Sequence, residues 1–245
     1  MPEGTICRNP EGGCLALPSP WVRRFLPLVP RGASVLDLAC GEGRHTGLLL
    51  LKGFRVTAAD IDTSWVEPLA GTPGLTIERH DLEGAPWPWA PGTFDAIVVT
   101  NYLHRPHFPH CFESLRPGGV FILETFTNEN TRLWGRPRNP DHYLLAGELI
   151  ELTPPGARIV AYEEGLTERN FGVERIVWRR PAAGMGPRAP NVSACFRLSG
   201  PLIPRGRSLI EFFDPRRGPG GRPSERVSRG RPARTGCRRR LPLLD

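Results

Sequence analysis

Apolar residues in this chain gather in short runs, and the breaks between the runs carry glycine, proline or aspartate. Residues 34–39 hold Val35, Leu36, Leu38 and Ala39, the density of a strand covered on both faces. Residues 54–59 read the same way and close on Asp60, while 75–80 alternates as a third strand. Phe94–Thr100 is a buried fourth strand, Val120–Thr125 a fifth, and Arg158–Tyr162 and Val173–Arg179 supply two more. Helical spacing fills the intervals. Ser19-Pro20 has the form of an N-cap followed by proline at the first helical position, with Trp21, Phe25 and Leu28 on one face. Further helices are predicted over 44–52, stopped by Gly53, and over 64–69, 108–115 and 147–152. The last two strands are joined by about ten residues, too few for a parallel crossover, so an antiparallel hairpin is predicted there. Together these elements make an α/β domain: a seven-stranded, mostly parallel sheet with helices on both faces and a C-terminal antiparallel hairpin. Residues 126–143 are the long polar interval, read as a functional or mobile loop.

The chain has 245 residues, 39% of them hydrophobic, enough for one sizeable core. That core is assigned to residues 19–180, with 1–18 as a loose lead-in and 181–245 as a tail. No run approaches the roughly 18 apolar residues of a membrane span and no leader pattern opens the chain, so a cytoplasmic protein without a membrane partner is expected. Six cysteines lie far apart with no C-x-x-C pair, which argues against a disulfide framework and a zinc knuckle. The net charge of +7 is unevenly placed: residues 181–245 carry +10, all their cations arginines, and residues 1–180 carry −3. With 10 prolines and 9 glycines the tail has too little apolar surface to offset ordering entropy, and disorder is predicted. Such a segment offers phosphate contacts to nucleic acid. A GC-rich gene read out of frame or past its natural end gives the same composition, and that account is preferred.

Candidate chemistry sits at the carboxyl ends of the predicted strands, where open parallel sheets bind ligands. Residues 35–46 read as strand, glycine turn and helix start. Gly41 and Gly43 permit close backbone approach, and the helix start offers unpaired N–H groups to a nucleotide. A dinucleotide fingerprint would need a third glycine where Thr46 stands, so a nicotinamide cofactor is disfavoured. With Asp37 ahead of the two glycines, the segment resembles motif I of the class I S-adenosylmethionine-dependent methyltransferases. The resemblance continues in order through Asp60, Asp81-Leu82, Phe94–Tyr102 and the turn Leu115–Gly119. Over residues 19–180 it is nearest to small bacterial proteins related to the tellurite-resistance and ubiquinone-biosynthesis methyltransferases. It implies a Rossmann-like fold and S-adenosyl-L-methionine as cofactor. It also implies a cofactor site made of Asp37, Ala39, Cys40, Gly41 and Gly43, of Asp60 and Ile61 at the ribose, of Asp81 and Leu82 at the adenine, and of Asn101.

The acceptor side is less marked. His104, His107, His110 and Cys111 have a spacing that suits metal, yet Pro106 and Pro109 interrupt any regular helix there, and no metal is expected. If the acceptor carries a proton on its attacking atom, Tyr102, His104 and His142 are the candidates to remove it. Trp87 and Trp89 are candidate walls of the adenine pocket. Arg136, Arg138, His142 and Tyr143 sit in the long loop, where a lid over an anionic acceptor is one reading and plain surface the other. The compact size favours a small-molecule acceptor. A non-catalytic cofactor-binding or nucleic-acid-associated module using the arginine-rich tail is the alternative.

Overall fold

The computed structural model describes residues 17–182. The lead-in, apart from its last two residues, and the tail from residue 183 lie outside the described residues. Seven strands form one sheet in the order β3-β2-β1-β4-β5-β7-β6. They are β1 (Ser34–Leu38), β2 (Arg55–Asp60), β3 (Leu75–Arg79), β4 (Phe94–Thr100), β5 (Leu115–Phe126), β6 (Arg158–Leu166) and β7 (Gly172–Arg179). β1 to β5 pair in parallel, and β7 runs antiparallel to both β5 and β6. The strand order reverses between β1 and β4, and the crevice of such a sheet opens there.

Side-chain parity assigns the two faces. Leu36, Leu38, Ile97, Val99, Phe121, Leu123, Ile176 and Trp178 share one core. It is covered by α3 (His107–Ser114) through Phe108 and Cys111 and by α5 (Glu148–Glu151) through Leu149. Val35, Val56, Ala96, Val98, Val120, Ile122 and Val177 face the other way. There they meet Trp21, Val22 and Phe25 of α1 (Pro20–Phe25) and Leu49 of α2 (Arg44–Leu51). Strands buried on both faces explain why the apolar runs are nearly continuous.

Three local expectations need correction. The helix expected over 64–69 is only a 3-10 turn, Glu67–Leu69, because Pro68 brings no N–H to continue it. The long polar interval contains α4 (Asn128–Trp134) and a 3-10 turn at Pro140–His142. Buried Asn130 docks α4 on the sheet: its Oδ1 accepts from Gly172 N–H at 3.2 Å and its Nδ2 donates to the Arg136 carbonyl at 2.7 Å. Pro109 does not break α3, since it stands in the first turn, where its missing N–H would have had no helical partner.

Candidate functional site

The turn after β1 is strained in a specific way. Ala39 at φ 55° ends β1 and Asn101 at φ 57° ends β4, two non-glycine residues in the left-handed region on either side of the strand-order reversal. Each such residue costs on the order of 1 kcal/mol or more and persists where its surroundings hold it. Here the Cys40 N–H donates to the Ala59 carbonyl at 3.0 Å, and the Asn101 N–H to the Glu124 carbonyl at 2.9 Å.

The two glycines of the turn do different things. Gly41, at φ 49°, has open space where a Cβ would stand, and its N–H donates to Asp60 Oδ2 at 2.8 Å. Asp60 Oδ1 accepts from the Asp62 N–H at 3.1 Å, and each oxygen keeps a further lone pair for an outside donor. Gly43, at φ 76°, is a packing glycine, because a Cβ there would lie 2.6 Å from Val66 Cγ1. Asp37 is buried behind the turn rather than open to it, and its Oδ2 accepts from Thr46 Oγ1 at 2.6 Å. Burial pushes its carboxyl up to about 7 against the pull of Thr46. Cys40 packs beside Ala58 and Val66, and burial raises its thiol far out of the nucleophilic range.

Beyond β2, Ile61 is 57% exposed beside Asp60, an apolar side chain at the crevice edge. Past β3, exposed Asp81 caps its own turn, with Oδ1 accepting from the Gly84 and Glu83 N–H groups at 2.9 and 3.1 Å, while Leu82 is buried. Trp87 and Trp89 act as fasteners of the loop that follows. Trp87 Nε1 donates to Ser114 Oγ at 2.8 Å, and Trp89 Nε1 to Glu78 Oε2 at 3.0 Å.

Past β4, His107 at the start of α3 links the other candidates: its ring lies 4.3 Å from His104, 6.2 Å from Tyr102 and 4.9 Å from Trp87. Burial, helped by His104, holds His107 neutral, with its pKa lowered to about 4. Burial, then the nearby Glu83 carboxylate, pushes the Tyr102 hydroxyl well above its usual range. No group of three or more His, Cys, Asp or Glu side chains among the described residues is arranged to hold a metal ion. His142 is not brought to this cluster by any hydrogen bond or ring contact of its side chain. It belongs to the turn that Arg105 holds, where Arg105 meets Glu148 with two bonds, at 2.5 and 3.0 Å, and the Asp141 and Tyr143 carbonyls at 3.0 Å each.

Sequence reading missed a polar row on the α2 face of the sheet. Thr100, Glu124 and Arg175 are register neighbours on β4, β5 and β7, and Arg175 Nε sits 2.6 Å from Glu124 Oε2. From α2, buried His45 accepts the Ser19 N–H at Nε2 (3.0 Å), so the neutral ring donates from Nδ1 to Thr100 Oγ1 at 3.2 Å. Burial, then Arg44, lowers His45 to about 3. Arg44 Nη2 reaches the same hydroxyl at 3.3 Å. The available signal was parity: Asp37, Thr100 and Glu124 fall on the same face of consecutive strands of the sheet.

A methyltransferase domain family matches residues 35–119. A probable S-adenosylmethionine-dependent methyltransferase of Mycolicibacterium smegmatis is 35% identical over 150 residues, 54% of this chain and 56% of that protein. The ubiquinone biosynthesis O-methyltransferase of Azotobacter vinelandii is 28% identical over 152 residues, 56% of this chain and 59% of that protein. The chain thus spans somewhat over half the length of these two relatives. Among solved structures, an S-adenosylmethionine-dependent methyltransferase from Mesorhizobium loti superposes with a TM-score of 0.55 at 19% identity, covering 66% of this chain and 96% of that one.

Proposed function

We propose, on the premise that this chain belongs to the class I S-adenosylmethionine-dependent methyltransferases, that it transfers a methyl group from that donor to a small-molecule acceptor. The observation that carries the reading is the bond between Asp60 Oδ2 and the Gly41 N–H at the strand-order reversal. It sets a carboxylate with spare acceptor capacity beside a turn whose outer side no Cβ fills.

The residues present suit such a donor. Asp60 would accept from the ribose hydroxyls, a charge-assisted pairing. Exposed Ile61 and buried Leu82 supply apolar cover, Asp81 an acceptor for an exocyclic amine, and Ala39, Gly41 and Asn101 open backbone around the amino-acid end. Asp37, Cys40 and Gly43 serve by shaping the turn from behind. When bound, S-adenosylmethionine supplies a methyl group already activated by its sulfonium, so the protein's work is alignment and exclusion of water.

For an acceptor that must lose a proton, His104 is the best placed of the three candidates. It is partly exposed at the end of β4, with its ring on neutral His107. Tyr102, its hydroxyl raised by burial, serves as a hydrogen-bond donor at neutral pH rather than as a base. His142 stands on the Arg105-held turn, apart from the His104–His107 pair, and is not proposed as the base. A small acceptor is supported by the name of one relative, the ubiquinone biosynthesis O-methyltransferase.

The test is a panel of phenols, carboxylic acids, amines and thiols incubated with the full chain and S-adenosylmethionine. S-adenosylhomocysteine release that depends on one class of acceptor is the expected result. A chain that binds the donor yet turns over no class contradicts the proposed activity.

A further inference from the structure

Resting on the donor-site reading above, we infer that Arg44 reads the carboxylate at the amino-acid end of the donor and so distinguishes it from adenosyl compounds that lack this group. Arg44 is the first residue of α2, three positions past Gly41, and its guanidinium reaches across the strand-order reversal to Thr100 at the end of β4. It therefore stands over the junction of β1 and β4, while Asp60 and Asp81 stand at the ends of β2 and β3, on the nucleoside side.

The guanidinium is under-used. It carries five N–H donors, and among the described residues its one hydrogen bond is that to Thr100 Oγ1, at 3.3 Å. No carboxylate of the described residues lies within ion-pair distance of it. The three that act on it from farther away are Glu124, Asp37 and Glu42. The first two are committed elsewhere: Glu124 to Arg175 at 2.6 Å and Asp37 to Thr46 at 2.6 Å. Arg169 adds a second positive charge from the loop between β6 and β7. A partly buried cation placed beside another cation, with Glu124 and Asp37 bonded elsewhere and only exposed Glu42 left to act on it, favours an anion from outside. The donor offers one, on the amino-acid end that the proposed function places at Ala39, Gly41 and Asn101. A planar fork suits a carboxylate better than a single ammonium would.

The test is calorimetric titration of the full chain with three probes: S-adenosylhomocysteine, its decarboxylated analogue, and 5′-methylthioadenosine. In the wild type, loss of the carboxylate is expected to weaken binding about tenfold, the size of a charge-assisted bond. Arg44→Gln is expected to weaken S-adenosylhomocysteine about tenfold and to leave the other two probes within about twofold. Equal weakening of all three probes, or no weakening, overturns the inference. If Arg44→Gln fails to fold, the wild-type comparison decides alone: equal affinity for S-adenosylhomocysteine and its decarboxylated analogue overturns it. A wild type that binds none of the three overturns the donor-site reading itself, and the inference with it.

Discussion

A methyl group on Gly43 would stand 2.6 Å from Val66 Cγ1, on a backbone at φ 76° that side chains rarely adopt. Gly43→Ala is therefore expected to destabilise the protein by about 1–3 kcal/mol, read as a lowered urea midpoint. Adding Val66→Ala should return part of that loss, whereas an unchanged midpoint in the single variant contradicts the packing role. The pair of glycines was legible in the sequence as a turn between β1 and α2, but their division of labour was not. Val66 lies 23 residues away in a segment with weak periodicity, so nothing local marks it as the neighbour of Gly43. Asp37 shows the same limit. Its acidic character before the turn was visible, and its burial against Thr46 depends on how α2 folds back over β1.

Among the elements, the segment after β5 departs most from its reading as a polar loop. Its order comes in part from contacts with distant residues, Asn130 with Gly172 and Arg105 with the Asp141 and Tyr143 carbonyls, and in part from a local one, Thr131 Oγ1 with the Pro137 carbonyl at 2.6 Å. A second anchor is buried Glu174, whose carboxylate accepts from the Gly147 and Leu149 N–H groups at 2.5 and 3.1 Å and so holds the start of α5. Periodicity cannot report such contacts, while β1 to β4 and β7, defined by runs of apolar residues, were readable to within a residue of their ends; β5 begins earlier than its apolar run, at Leu115, and β6 runs on to Leu166. The Arg105–Glu148 pair is partly shielded and bidentate, so its loss is expected to cost about 1–2 kcal/mol locally. In Arg105→Ala, amides of residues 141–147 should exchange faster by roughly one order of magnitude or more, with the strand amides unchanged. Uniform exchange in both proteins would remove the clamp from the account.

At the scale of the whole molecule, two buried titratable groups on the same face of the sheet act in opposite directions. Asp37, raised to about 7, holds an extra proton in the folded state between roughly pH 4 and 7, so its contribution to stability falls as pH rises through that window. His45, lowered to about 3, is protonated only in the unfolded chain between roughly pH 3 and 6.5, so its contribution rises with pH there. The two slopes oppose each other between pH 4 and 6.5. His107, lowered to about 4, adds a second rising slope between roughly pH 4 and 6.5. Relative to the wild type, His45→Gln should therefore tilt stability downward with rising pH, by at most about 1.4 kcal/mol per unit, and Asp37→Asn should tilt it upward by up to the same amount. Urea midpoints at pH 4.5 and 6.5 measure both, and two variants that track the wild type contradict the assignment. The α/β architecture and the ordered series of motifs were legible because each is written in contiguous residues. The row from His45 through Thr100 to Glu124 and Arg175 was not, because it exists only after the strands are placed in register.

The central claim is that Asp60 and the turn at Gly41 form the donor site, and calorimetric titration of the full chain with S-adenosylmethionine tests it most directly. Micromolar binding by the wild type, weakened at least about tenfold by Asp60→Ala, is the expected result. A wild type that takes up no heat of binding, or an Asp60→Ala variant that binds as tightly as its parent, contradicts it.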